Sequence, residues 1–167
     1  MTDGFAGDTF EVADGGAMVR SVCRTALEPE PEMLVSEWAE RHRMLTSKTS
    51  SEPGEWRNAR TPYLVAIMDA LSPSHPAEEV WFQKGTQVGA TECGNNWLGF
   101  IVHHAPAPTM AIQPTLNMAK RFSRHRLSSM IDAMPVLADR IAEKRSRDTA
   151  NSTLMKDFPG GVLVVAG

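Results

Sequence analysis

Apolar positions along this chain fall into helical spacings, broken by a few short apolar runs. Met33, Leu34, Trp38 and Ala39 recur at i, i+1, i+5 and i+6, which predicts a helix over 33–42 after the Pro29–Pro31 punctuation. Thr61 and Pro62 suit the cap and first turn of a second helix. It would bury Leu64, Ile67, Met68 and Leu71 and stop before Pro73 and Pro76. Val80, Trp81 and Phe82 predict a strand over 79–83. Helical spacing returns from Ala90 to His103, with Ala90, Cys93, Trp97, Leu98 and Ile101 on one face. Thr109–Gln113 reads as a short buried strand ended by Pro114, and Thr115 can cap a third helix carrying Ala119, Phe122, Leu127, Met130 and Met134 inward. Residues 135–142 add a helical piece, and 151–155 with 162–166, joined across Pro159–Gly161, predict a hairpin. Strands alternating with helices imply a right-handed βαβ unit and an α/β fold built on a parallel sheet. Residues 1–30 show no periodicity beyond a short helix over 17–26. They are expected to be a flexible segment ahead of one domain over 31–167.

Composition changes this picture little. The chain has 167 residues, 42% of them hydrophobic and 22% charged, which suits one soluble domain with a real core. No apolar run approaches the roughly 20 residues of a membrane span. The acidic, glycine-rich start is unlike a signal peptide. Cys23 and Cys93 lack the spacing of a zinc site or disulfide framework, so a reduced, intracellular protein is the default. The net charge of −3 is unevenly spread. Residues 1–32 hold seven acids against Arg20 and Arg24, whereas 116–147 hold eight bases against Asp132, Asp139 and Glu143. The basic stretch suits a surface for DNA or another subunit, and equally a solvated helix face.

The informative stretch is Val80–Glu92, V-W-F-Q-K-G-T-Q-V-G-A-T-E. An apolar run, a small-residue loop and a helix start make a phosphate cradle, because amide N–H groups and the positive helix end converge there. Against the usual P-loop pattern G-x-x-x-x-G-K-[ST], aligned on Gly89 and Thr91, Lys84 stands at the first glycine and Ala90 at the lysine. The cation opens the loop instead of closing it. Lys84 can offset charge on a γ-phosphoryl group, Gly85 and Gly89 can take positive φ, and Thr91 can place a hydroxyl on Mg²⁺. Each residue also has a plain role open to it: a strand-end lysine, turn glycines, a helix cap.

This swapped loop resembles the deviant Walker A of the large terminase subunit of tailed phages, in the family of phage lambda gpA. S-E-W-A-E-R-H-R-M-L (36–45), E-P-G-E-W-R-N-A-R-T-P-Y-L (52–64), I-M-D-A-L-S (67–72), Q-P-T (113–115) and F-P-G-G-V-L (158–163) resemble that family in its order. The resemblance implies a P-loop NTPase of the helicase-like class that binds ATP and Mg²⁺. Lys84, Gly85, Thr86, Gln87, Val88, Gly89, Ala90 and Thr91 would form the nucleotide loop, with Lys84 the catalytic residue and Thr91 the metal ligand. Trp56, Arg57 and Tyr63, with Arg60, lie where such a protein gathers its adenine-side contacts, although Trp56 and Tyr63 read more readily as core anchors. Gln113 and Thr115 would couple DNA to ATP, or simply end a strand and cap a helix. Arg121 and Arg124, with His125, would touch DNA phosphates or face solvent.

The implied partners are double-stranded viral DNA, a small terminase subunit and a portal protein, in the host cytoplasm. No apolar run ending in paired acids follows, so the chain is expected to be the front of a packaging ATPase, ahead of its Walker B strand and a downstream nuclease, with a bare sheet edge. A non-catalytic prophage remnant or binding module that keeps the loop's shape is the alternative, and a different helicase-like ATPase is a third.

Overall fold

The computed structural model describes residues 15–27, 31–141 and 152–167. They fall into two units divided after Pro31. In the first, α1 (Gly15–Leu27) is longer than the helix expected over 17–26, and Met18, Val19, Val22 and Leu27 on it are exposed.

The second unit is built around helix α4 (Ala90–His103), which buries residues on most of its circumference: Cys93, Asn95, Asn96, Leu98, Gly99, Phe100, Ile101 and Val102. Helix α2 (Val35–His42) crosses it where Gly99 meets Trp38, and a Cβ on Gly99 would stand 2.3 Å from the Trp38 ring. The Val35 N–H that opens α2 donates to Ser72 Oγ at 2.9 Å. Two-residue strands β1 (Met44–Leu45) and β2 (Gly54–Glu55) pair antiparallel, and Trp56 N extends that ladder to Arg43 O at 2.9 Å.

Thr61 does not cap a helix with its side chain. Its Oγ1 is buried without a partner among the described residues, and the chain passes through a 3₁₀ turn, Pro62–Leu64, into helix α3 (Val65–Ala70). Pro62 does stand at the first position of that turn.

The sheet is mixed rather than parallel, in the order β3-β5-β4. Strand β3 (Thr109–Ile112) runs parallel to β5 (Gly161–Ala166), with Thr109 opposite Leu163 and Ile112 opposite Ala166. β4 (Met155–Phe158) pairs antiparallel to the other side of β5. Pro159 and Gly160 (φ 88) link them, the residue order of a type II turn, so the predicted hairpin forms with its first strand a few residues later. The parallel crossover is therefore β3 to β5, through the helices between them. The strand expected over 79–83 is absent: those residues pair with no strand, Trp81 is 88% exposed, and its indole N–H donates to Glu79 Oε2 at 3.1 Å. An apolar run becomes a strand only where a ladder partner meets its backbone. β3 is correspondingly an edge, with Met110 and Ile112 exposed rather than buried.

Helices α5 (Leu116–Arg121) and α6 (Ser128–Asp132) are joined without a break by a π-helical turn, Phe122–Leu127. Ala119, Ser123 and Leu127 are buried along it, with Phe122 half-buried beside them. Ser123 is buried there, its hydroxyl donating to Thr153 O and its carbonyl accepting from Ser128 Oγ at 3.0 Å. A short helix α7 (Pro135–Ala138) follows and ends earlier than the helical piece expected over 135–142: residues 139–141 are turn and bend, and residue 142 lies outside the described residues. Trp38, Leu64, Met68, Phe100, Leu127, Met134, Leu137, Leu163 and Val165 make one core. Among the described residues no helix is long and apolar enough to cross a membrane.

Candidate functional site

The loop ahead of α4 turns on two left-handed residues, Gln87 (φ 58) and Gly89 (φ 78). Gly85 was expected to share that role, but it does not, and Gln87 takes it instead. A non-glycine residue held there stores strain of the kind found at binding loops. Gly89 cannot be replaced cheaply, because its φ disfavours a side chain and a Cβ would stand 3.0 Å from Leu64 Cδ1. Turns of this kind direct successive amides to one point, and the 14-residue α4 adds its positive end.

Gly89 is the N-cap, and its carbonyl accepts from Cys93 N at 3.0 Å. Thr91 is therefore inside the helix's first turn, exposed, and not the cap. Lys84, Gly85, Thr86 and Gln87 are exposed, whereas Val88 and Ala90 are half-buried. Lys84 makes no hydrogen bond or ion pair with another described residue.

Of the residues expected near an adenine, Tyr63 alone touches the loop: it is 55% exposed and its hydroxyl donates to Val88 O at 3.2 Å. Trp56 is a correction. It is 5% exposed, packed in the core with its indole N–H on Asn58 Oδ1 at 2.8 Å, so no ring face is free to stack on a base. Arg57 is turned to carboxylates, bonding Glu55 and lying 3.7 Å from Glu40. Arg60 pairs with Glu52 at 3.1 Å.

Next to Thr91, Glu92 uses both carboxylate oxygens. Oε2 accepts from Arg43 Nη2 at 2.6 Å and Oε1 from Arg126 Nη1 at 2.9 Å. Arg43, its side chain 2% exposed, is further fixed by Nε to Asn96 Oδ1 at 3.0 Å and Nη1 to Met44 O at 2.7 Å. Burial pulls the Arg43 guanidinium below its ordinary pKa, and Glu92 opposes that. Arg126 Nη1 also donates to Thr49 O at 3.1 Å. The loop's helix is thus bound by charge to the end of α2 and to the π turn.

A cavity of about 290 Å³ opens beside Thr91, lined also by Gln113, Met118, Arg121, Phe122, His125 and Arg126. A neighbouring one of about 260 Å³ shares Thr91, Gln113 and Phe122, and Asn95, whose Oδ1 is buried without a partner among the described residues, lines it. Gln113 thus faces α4 from the end of β3, where its backbone N–H donates to Ala166 O at 2.8 Å. Thr115 caps α5, its Oγ1 accepting from Met118 N at 3.2 Å. Arg121 reaches the cavity, while Arg124 is exposed elsewhere.

Arg43 and Arg126 were missed in sequence, and Glu92 had no role there. Their only shared signal is that each arginine ends an R-H-R triplet ahead of apolar residues, 41–43 and 124–126, which says nothing of a common carboxylate. The large subunit of the terminase of Enterobacteria phage P21 is 23% identical over 155 residues, covering 93% of this chain, and the chain spans 24% of that protein's length. No solved structure matches the chain. The family model described as phage terminase large subunit gpA, ATPase domain, matches residues 50–167, which carry the loop, Tyr63 and the whole sheet, and the chain belongs to that family.

Proposed function

We propose that residues 84–91 are the nucleotide loop of a viral DNA-packaging motor with a P-loop fold, and that residues 31–167 form the front of its ATPase domain. One observation carries this reading. A loop with left-handed residues at Gln87 and Gly89 runs into the free end of a 14-residue helix, with Lys84 unengaged at its start and Tyr63 bonded to its middle. Backbone amides of Gly85 to Ala90 would hold the phosphates, Lys84 would offset their charge, and Tyr63 would bound the nucleotide's outer side. Mg²⁺ fits at the exposed Thr91 hydroxyl together with phosphate oxygens, where it would neutralise charge on the transferred group.

In the whole protein ATP hydrolysis would drive double-stranded DNA into a capsid, with a small terminase subunit and a portal as partners and a nuclease further along the chain. Gln113 and Thr115 at the end of β3, with Arg121 and the exposed Arg124, are the DNA-facing set, contributing salt-dependent phosphate contacts. The test is protection from heat by Mg·ATP: it should raise the unfolding temperature, and Lys84→Ala should abolish the rise. No shift in the parent chain would overturn the nucleotide reading. ATP protection without phosphate release would favour a binding module without turnover.

A further inference from the structure

The cavity beside Thr91 is basic. Arg121, His125 and Arg126 line it with Thr91, Gln113, Met118 and Phe122, and no acid is among its lining residues. Glu92, which lies close by, has both oxygens engaged. Arg126 is the better placed of the two arginines. Its Nη1 is held by Glu92 Oε1 and Thr49 O, while Nε and Nη2 make no bond to another described residue. The carboxylate that orients it is itself fixed to the buried Arg43. A guanidinium anchored on one nitrogen with its remaining N–H groups free suits two oxygens of a phosphoryl group. The π turn at 122–127 carries His125 and Arg126 on the cavity wall and leaves Arg124 outside it. At about 290 Å³ the space suits a phosphate or pyrophosphate better than a whole nucleotide.

We propose that this cavity is a phosphoryl-binding site, with Arg126 as its principal ligand and Glu92 as the positioning residue that tethers Arg126 to the helix bearing Thr91. The group it takes is the terminal phosphate of a nucleotide held at 84–91, or free inorganic phosphate; the first source rests on the proposed function, the site itself does not.

Pyrophosphate, ATP and ADP are titrated calorimetrically at fixed ionic strength into the parent chain and the variants Arg126→Gln, Arg126→Lys, Arg121→Gln and Lys84→Ala. Pyrophosphate should bind the parent and weaken about tenfold or more in Arg126→Gln. Arg126→Lys should fall between, since it keeps the charge and loses the fork. Arg121 has no bond to Glu92, so Arg121→Gln leaves the tether intact and should still weaken binding. Pyrophosphate that does not bind the parent, or binds Arg126→Gln and Arg121→Gln as well as the parent, overturns the site.

If the source is the nucleotide, the parent prefers ATP to ADP and Arg126→Gln loses that preference with ADP affinity unchanged. A preference untouched by Arg126→Gln, with pyrophosphate binding lost, assigns the site to free phosphate. Nucleotide binding lost in Lys84→Ala while Arg126→Gln matches the parent throughout keeps the loop and removes the cavity. Pyrophosphate binding that depends on Arg126, with no nucleotide bound, does the reverse.

Discussion

Removing the Glu92 carboxylate should cost more stability than any other surface-proximal change near the loop. Glu92→Ala leaves the Arg43 guanidinium buried, its side chain 2% exposed, with Asn96 Oδ1, Met44 O and the weak acceptor Met134 Sδ as its neutral partners and no countercharge. Breaking a buried pair from one side costs about 3–5 kcal/mol. The Arg126 arm adds little, because its side chain is 41% exposed and solvent screens it. A loss of that size lowers the unfolding temperature by about 10 °C or more.

The assay is thermal and urea unfolding followed by far-UV circular dichroism, on Glu92→Ala, Arg126→Ala and the double variant Arg43→Met with Glu92→Leu. The double variant should recover most of the loss, since an apolar pair of similar volume is often as stable as the ions it replaces. Glu92→Ala within about 1 kcal/mol of the parent would falsify the reasoning. So would a double variant no more stable than the single one, for then the cost is not an orphaned charge.

Four further outcomes follow from the same structure. Gly99→Ala would push a Cβ to 2.3 Å from Trp38, so its urea midpoint should fall by an amount worth about 1–3 kcal/mol, and an unchanged midpoint would mean that α2 and α4 slide freely. Gly89→Ala meets both a left-handed φ and Leu64 and should lose about 1–2 kcal/mol, again read from the urea midpoint. His42, beside Trp38 and His103, has its pKa lowered by burial and then by the charges of Arg41 and His104. The unfolded chain therefore takes up its proton first, so stability is full above 6.5 and falls as pH drops from there towards the folded value; His42→Gln should flatten that slope in unfolding curves. Cys93 is buried and its thiol is raised to about 11, whereas Cys23 is exposed, so a thiol reagent at mildly alkaline pH should label Cys23 at once and Cys93 only after denaturation.

Helices were the legible part. The face predicted for residues 90–103 is present, and so is the inward row of Ala119, Phe122, Leu127, Met130 and Met134, because a 3.6-residue rhythm is written locally. Strand 79–83 failed for a non-local reason: Val80, Trp81 and Phe82 have the composition of a strand, yet no described backbone pairs with them. Thr61 was legible in position, since it stands at the N-cap ahead of Pro62 and its carbonyl accepts from Leu64 N at 2.9 Å, but its hydroxyl is buried and makes no cap bond. The loop was legible as residue types, but not in its turn chemistry, where Gln87 rather than Gly85 became left-handed. The Arg43–Glu92–Arg126 cluster was beyond reach, because its members are 49 and 34 residues apart and no spacing rule links them.

These pieces also decide which side of α4 is stiff. Towards α2 it is held by Trp38 seated on Gly99 and by Arg43, which is buried and bonded through all three guanidinium nitrogens. Towards residues 116–132 it is held by Arg126, half open to solvent and bonded through one nitrogen, at a helical turn already off the α register. A strain imposed at Thr91 therefore meets a rigid partner on one side and a yielding one on the other, and the segment that yields carries Arg121, His125 and Arg124. Charge arriving at the loop would compete with Glu92 for Arg126 in particular, since Arg43 has no free donor nitrogen and no space to turn. The elements proposed to face DNA are thus the ones most weakly tied to the proposed nucleotide loop, and both depend on a single carboxylate that neither set contains.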